Sequence, residues 1–368
     1  MAYRYGVTRM PLGPHDLSTL LLDVDDLASV LDEVGLETFL DELIERLTVD
    51  ISAFDPTHVQ QKVCTGFNYD VPELGMIEWM STMLTGDIVA VKTVGYHPRN
   101  PVERSIPSVL ATTALYDTNS GGLVALTEAT LLTALRTGAA SAVVTNAVAK
   151  DGPITLGVVG CGAQAVTQIH AISRTREISR LIVTDIDGEN AKSLVARLPE
   201  DLPKPEVHTR AGFDLAVPEL DVLVTATSVE PGGHPVVGLE LAAPHLHINA
   251  VGADVPGKTE LSQAYVRNDD VVVIPDVIEQ CLAGGEAQRL GRGELGPDIV
   301  EVLARDWDAL RNQQTVFDST GWAYEDLIAA TLFVAHAIRL ELGVTVDLQR
   351  APVDPLDPYE ILRPITGE

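Results

Sequence analysis

The densest chemical signal in the chain is TLGVVGCGAQA, residues 155–165. An apolar run ends at Gly160, Gly162 and Ala165 complete a Gly-x-Gly-x-x-Ala turn, and a stretch able to form a helix follows. Each small residue has a task in dinucleotide binding. Gly160 permits the tight turn, Gly162 lets the backbone approach a pyrophosphate, and Ala165 allows close helix–strand packing. A helix opening at Ala163 and Gln164 would point free N–H groups at the phosphates. Asp185 closes the next apolar run, LIVTD, 25 residues after Gly160. A carboxylate there accepts both ribose hydroxyls and repels a 2′-phosphate, which favours NAD over NADP. The same residues could also build a strand–turn–helix that binds nothing, so they raise a cofactor and not yet a reaction.

A parallel sheet would have to position that turn. Apolar strands are expected at 155–159, 181–185, 221–225, 245–250 and 271–274, alternating with helical stretches, the pattern of a doubly wound sheet. Upstream the texture differs. GMIEWMS, DIVAVKTVGYH, SVLATTALYD and GGLVALTE alternate in short runs between turns such as HPRNP and DTNSGG, which predicts an antiparallel sheet across 76–126. Residues 16–50 read as amphipathic helix, with Leu20, Leu21, Leu22, Val24, Leu27, Val30 and Leu31 among acids and a second helix over 34–50. An Ala-rich helix is expected to end at Gly152, and TVFDSTGWAYEDL reads as a strand end, a turn and a long helix. The expected fold is α/β, with a Rossmann domain (150–318) inserted into an α+β domain formed by both chain ends (1–149 and 319–368).

Composition narrows the function classes. With 368 residues, 46% of them hydrophobic, the chain can bury two cores. A formal charge of −28 argues against nucleic acid or an anionic membrane as partner, because either needs clustered Lys and Arg. The same field would favour the approach of a cationic substrate, or serve solubility alone. No apolar run approaches the roughly 20 residues of a membrane span, and the N-terminus lacks a basic segment followed by an apolar core. Cys64, Cys161 and Cys281 are far apart and show no disulfide or metal spacing, which fits a reducing cytoplasm; no metal is expected.

Longer stretches add a resemblance. HPRNP, LYDTNSGGLVALTEATLLTALRTGAASA, INAVGADVPGKTEL and VFDSTGWAYEDL together resemble the ornithine cyclodeaminase/mu-crystallin family, from about residue 75 onward. GMIEWM, VKTVGYHPRNP and PLDPYEILRP look most like its lysine cyclodeaminase branch. The resemblance implies a resident NAD+ that takes hydride from Cα of a dibasic L-amino acid. The side-chain amine then attacks the imine, ammonia leaves, and hydride returns to the cyclic imine. Lysine would give pipecolate, ornithine proline.

Residue by residue, the resemblance implies Lys92 and Arg136 as the clamp on the α-carboxylate, with Lys62 nearest to a further family arginine. It implies Asp254 as acid/base and Glu78 as the carboxylate for the distal ammonium. It implies cofactor contacts at Ser108, Arg136, Thr137, Thr227, Asn249 and Ser319, beside Gly160, Gly162, Ala163, Gln164 and Asp185. A homodimer or higher homo-oligomer is implied as well. His97, His245 and His247 are not expected to act as acid–base groups. The alternative reading is an NAD-dependent amino-acid dehydrogenase or cyclic ketimine reductase of the same family.

Overall fold

The computed structural model describes residues 17–362. The N-terminal stretch read for a leader therefore lies largely outside the described residues, as does the end of PLDPYEILRP. Two compact units are present. One comprises 17–35, 56–130 and 329–362, the other 36–55 and 131–328.

The first unit is built on a seven-stranded sheet of β1 (Thr19–Leu22), β2 (Val59–Tyr69), β3 (Gly75–Leu84), β4 (Ile88–Tyr96), β5 (Val109–Asp117), β6 (Leu123–Glu128) and β14 (Val344–Val346). The order across it is β14-β1-β6-β5-β4-β3-β2, antiparallel except where β1 runs parallel to β6. β1 corrects the expected helix over 16–50. Leu20–Leu22 pair with Ala125–Thr127, so an apolar run with helical spacing is taken up as a strand between two others. The helix begins only at Val24. Asp23 caps it by accepting from the N–H groups of Asp25 and Asp26, and Asp26 reaches back to the Asp23 N–H, a capping box worth about 1 kcal/mol. β2 is an edge strand whose sequence, VQQKVCTGFNY, shows little alternation and so carries no strand signal of its own.

The second unit holds the expected α/β fold. β7 (Ile154–Val159), β8 (Ile178–Thr184), β9 (Glu206–Val207), β10 (Val222–Thr225), β11 (His247–Ala250), β12 (Val271–Pro275) and β13 (Gln314–Asp318) form a sheet ordered β12-β13-β11-β10-β7-β8-β9. Every pairing is parallel. The strand order reverses direction between β7 and β10, the switch point beside which doubly wound sheets bind ligands at their strand C-termini. The strands read as continuous apolar runs because helices cover both faces; Leu156, Val158, Ile182, Leu223 and Ile248 are fully buried.

Helix Thr130–Val148 is the one described helix long and apolar enough to cross a membrane, and 67% of that window is buried within the protein, as a core helix would be. Arg176 and Arg311 donate to the Asn146 and Ala149 carbonyls at its C-terminal end, placing cations at the negative pole of the helix dipole.

Candidate active site

In the first unit, strand register decides which side chains can work together. Glu78 lies opposite Val94 and Met80 opposite Lys92, so Glu78 and Lys92 are diagonal neighbours on one face of β3 and β4. Lys92 is 2% exposed, while Glu78 is half-buried. Lys62 is exposed and pairs with Ser81, which puts it on the other face with Trp79 and Ile77. The register shifts between Lys62 and Thr65, and this bulge turns Cys64 toward Glu78, its thiol donating to the carboxylate at 3.3 Å. Ser108, just before β5, is half-buried and accepts the His97 N–H on its backbone carbonyl at 2.8 Å.

In the second unit the glycine turn has the geometry that a pyrophosphate requires. Gly160 has φ +92°, and a Cβ there would lie 2.5 Å from the Ala226 carbonyl oxygen, so no other residue fits. At Gly162 a Cβ would meet nothing within 4 Å, which leaves open space above the helix Ala163–Thr175. That helix starts at Gly162 with no side-chain cap, and its first N–H groups face this space. Asp185 adjoins the turn, one oxygen accepting from Cys161 N–H at 2.6 Å and the other from Asp187 N–H at 2.8 Å. Burial and the nearby Asp185 push the Cys161 thiol up to about 12, so it is an inert filler of the turn.

Arg136 is 5% exposed and held by Glu325 at 2.9 Å and Asp326 at 3.0 Å. Burial outweighs that attraction at Glu325 and raises its carboxyl to about 8. Several of the small polar residues are engaged by the protein itself. Thr137 donates to the Thr133 carbonyl, Gln164 to the Ala134 carbonyl and Thr167 hydroxyl, and Asn249 to the Thr145 hydroxyl while facing His247. The Ser319 hydroxyl is buried without a hydrogen-bond partner. His247 is fully buried, and loss of solvent lowers it to about 3, so it stays neutral. Among the described residues no group of His, Cys, Asp and Glu has a metal-holding arrangement.

Asp254 stands in the loop after β11, at the C-terminal edge of the sheet, with a 3.0 Å ion pair to Lys258. Buried carboxylates fasten this edge. Asp318 accepts the N–H groups of Glu286 and Ala287, and Glu286 accepts those of Glu260 and Leu261. Glu260 in turn accepts from Gly252 N–H, Thr225 hydroxyl, and both N–H and hydroxyl of Thr227. Burial raises all three acids above their ordinary values, Asp318 to about 7.

The geometry is that of a dinucleotide turn beside an acid-bearing loop, and comparison with known proteins fixes its kinship. Residues 24–339 match the model of the ornithine cyclodeaminase/mu-crystallin family. The chain belongs to that family. It is 38% identical to an L-lysine cyclodeaminase of Streptomyces rapamycinicus, over 94% of this chain and all of the relative. A solved lysine cyclodeaminase, studied for its recognition of L-lysine, L-ornithine and L-2,4-diaminobutyric acid, superimposes with TM-score 0.89 at 39% identity, covering 93% of this chain and 99% of its own. An archaeal alanine dehydrogenase dimer with bound NAD matches with TM-score 0.78 at 28% identity, over 90% and 100% of the two chains.

Three residues of this cyclodeaminase-family chain escape a reading from sequence: Cys64, Lys258 and Glu260. The i, i+4 spacing of Asp254 and Lys258 is visible in DVPGK, but on a loop that spacing does not specify a contact. Cys64 needs the bulge, and Glu260 needs the fold of two loops.

Proposed function

We propose that this chain is an NAD-dependent cyclodeaminase that converts a dibasic L-amino acid to a cyclic imino acid with loss of ammonia, L-lysine to L-pipecolate in preference to L-ornithine to L-proline. The observation that carries it is the likeness in sequence and fold, over nearly the whole chain, to an L-lysine cyclodeaminase. NAD suits the open cradle at Gly162 and the carboxylate of Asp185, and when bound it supplies a two-electron acceptor for the Cα hydrogen that is later returned, so there is no net redox.

The chain's own residues do the rest. Lys92 and Arg136 are the cations for the α-carboxylate, and Glu78 binds the distal ammonium. Asp254 takes the proton from the attacking amine and gives one to the departing ammonia, work typically worth about 10²–10⁴ in rate. Tethering of amine and imine in one substrate molecule gives the closure a high effective molarity. Gly160, Gly162, Ala163, Gln164 and Asp185 hold the cofactor, with Ser108, Thr137, Thr227, Asn249 and Ser319 around it. Lys62, which faces the other side of its sheet, receives no role. The cofactor is assigned to residues 150–318 and the substrate to 1–149 with 319–368, although the compact units divide the chain differently and place 36–55, 131–149 and 319–328 with the parallel sheet.

The chain also pairs with a second copy of itself. The outer face of β2–β5 exposes Phe67 (69%), Ile77 (42%), Trp79 (38%) and Leu110 (46%), an apolar patch of the kind that monomers rarely leave open. Three free thiols support a cytoplasmic location.

The test incubates purified protein with L-lysine or L-ornithine and substoichiometric NAD+, following ammonia, cyclic product and absorbance at 340 nm. Many turnovers per NAD+ without a lasting rise at 340 nm are expected. NADH accumulating in step with product would establish instead an amino-acid dehydrogenase, the reading favoured by the likeness to the alanine dehydrogenase, and no reaction with either diamino acid would leave the dehydrogenase or ketimine reductase reading.

A further inference from the structure

We infer that Lys258 is a positioning residue for Asp254, holding its carboxylate in one orientation and in the ionised form that receives the substrate proton; this rests on the cyclodeaminase reading. Lys258 Nζ lies 3.0 Å from Asp254 Oδ1, and the two side chains are 7% and 42% exposed. A lysine on a loop ordinarily extends its ammonium into water. This one is turned inward, and burying an ammonium is costly unless an anion meets it. Asp254 is that anion. Its Oδ1 is engaged, and the carboxylate is still open to solvent, so Oδ2 is the oxygen free to exchange a proton.

The loop that carries the pair is fixed on every side, so the ammonium has a defined place from which to act. Lys258 N–H closes a turn onto the Val255 carbonyl at 3.1 Å. Gln288 spans the loop, accepting from Gly257 N–H at 2.7 Å and donating to the Lys258 carbonyl at 2.8 Å. Glu260 accepts the Gly252 N–H at 2.8 Å, and a Cβ on residue 252 would lie 2.4 Å from that carboxyl carbon, which makes glycine obligatory there. The 226–236 segment, whose Gly232 N–H binds the Gly257 carbonyl at 2.7 Å, carries Glu230 and His234. Helix Ile278–Gly284 carries Glu279, and Gly284 approaches the Asp254 carbonyl. The charged contact of the Asp254 carboxylate is the Lys258 ammonium, and Glu279 on that helix is itself paired with Arg292. Removing the Lys258 ammonium takes away the cation that meets the Asp254 carboxylate at 3.0 Å, and an opposite charge at that distance favours a carboxylate's charged form.

The test measures the pH dependence of kcat and KM for wild type, Lys258→Gln and Lys258→Arg, with the diamino acid that the wild type turns over. Lys258→Gln is expected to lower kcat at neutral pH by about 10- to 100-fold, the loss of one charge-assisted hydrogen bond. Its KM stays within about threefold, and the acid limb of the profile moves up by about one pH unit. Lys258→Arg, which keeps the cation, leaves the limb in place and recovers much of kcat. A Gln variant with wild-type kcat and an unmoved limb overturns the inference. If that variant does not fold, the Arg variant decides, since a limb displaced by about one pH unit or more despite the retained cation overturns it equally. Wild-type protein that turns over no diamino acid removes the cyclodeaminase reading itself, an outcome distinct from a normal wild type with an insensitive Lys258.

Discussion

The two units hold their candidate residues by different means. In the antiparallel sheet, Glu78 and Lys92 are brought to one face by strand register, and each is held by the ladder hydrogen bonds of β3 and β4. At the edge of the parallel sheet, Asp254 sits on a loop, and the loop is held by buried carboxylates that accept backbone N–H groups. Register is rigid and simple to specify, because alternation sets it. A loop has no ladder, so its N–H groups must be satisfied one at a time by side chains from elsewhere in the fold. Loss of a proposed substrate-binding or proton-transfer group should therefore act on turnover in either unit, whereas loss of a support should act on stability chiefly in the second.

The largest effects are expected from the reacting groups. Asp254→Asn removes the proposed proton acceptor while keeping shape, and kcat should fall by about 10²–10⁴. Glu78→Gln should fall in the same range for lysine or ornithine. Thermal midpoints of both variants should stay near that of the wild type, since Asp254 is exposed and Glu78 only half-buried. A midpoint lowered by many degrees in either variant would erase the distinction between reacting group and support.

Glu260→Ala tests the support. It strands four donors, the Gly252 and Thr227 N–H groups and the Thr225 and Thr227 hydroxyls, around a fully buried place. Each unsatisfied buried donor costs about 1–3 kcal/mol, and partial refilling by water leaves a loss of about 3 kcal/mol or more in denaturant unfolding. An unchanged midpoint would mean that the loops do not need the carboxylate.

The same contrast governs what is legible in the sequence. The parallel strands, the glycine turn and the sheet over 76–126 are legible because apolar periodicity and turn residues report them directly. Glu78 and Asp254 are reachable through long matched motifs. The role of Glu260 is not, because a buried glutamate looks like any surface glutamate until the fold places Thr225, Thr227 and Gly252 around it. β1 reads wrongly as helix because TLLL fits a helix stripe as well as a strand, and pairing with β6 and β14 decides the matter. The Lys62–Thr65 bulge is invisible for a similar reason, since one additional residue in a strand leaves no compositional mark.

The buried acids give the second unit a pH signature that the first unit does not share. Asp318 is raised to about 7 by burial, so the folded state holds its proton more tightly than the unfolded chain does. Its contribution is fully present below about pH 4 and is lost as pH rises through about 7. Asp117, in the first unit, is lowered to about 2 by its hydrogen bonds to Ser120 and Asn119. Its contribution is present above about pH 4 and lost below. Stability should thus decline from about pH 4.5 to about pH 7.5 by an amount on the order of 3 kcal/mol, because each tenfold difference in proton affinity between folded and unfolded states is worth about 1.4 kcal/mol. Asp318→Asn should be less stable overall but should show a flatter profile over that range. A wild-type profile that rises over the same interval would mean that the buried acids stay ionised at little cost.

The smallest expected effect is the sharpest test of register. Lys62 and Lys92 both lie in one sheet, and the family resemblance offers both as cations for the substrate carboxylate. The structure separates them by face, Lys62 beside Ser81 and exposed, Lys92 beside Met80 and buried. Lys62→Ala should therefore leave kcat/KM within about twofold and stability within about 0.5 kcal/mol, the ordinary range for an exposed position. Cys64→Ser bears on the same bulge from its other side, because a serine hydroxyl can still donate to Glu78, and a change of less than about fivefold is expected. If Lys62→Ala instead costs about tenfold or more with the KM for the amino acid raised, the strand reaches the substrate with the face that its register turns away. The bulge between Lys62 and Thr65 would then be a feature that moves on binding, and register would no longer be the rigid device that distinguishes this unit from the other.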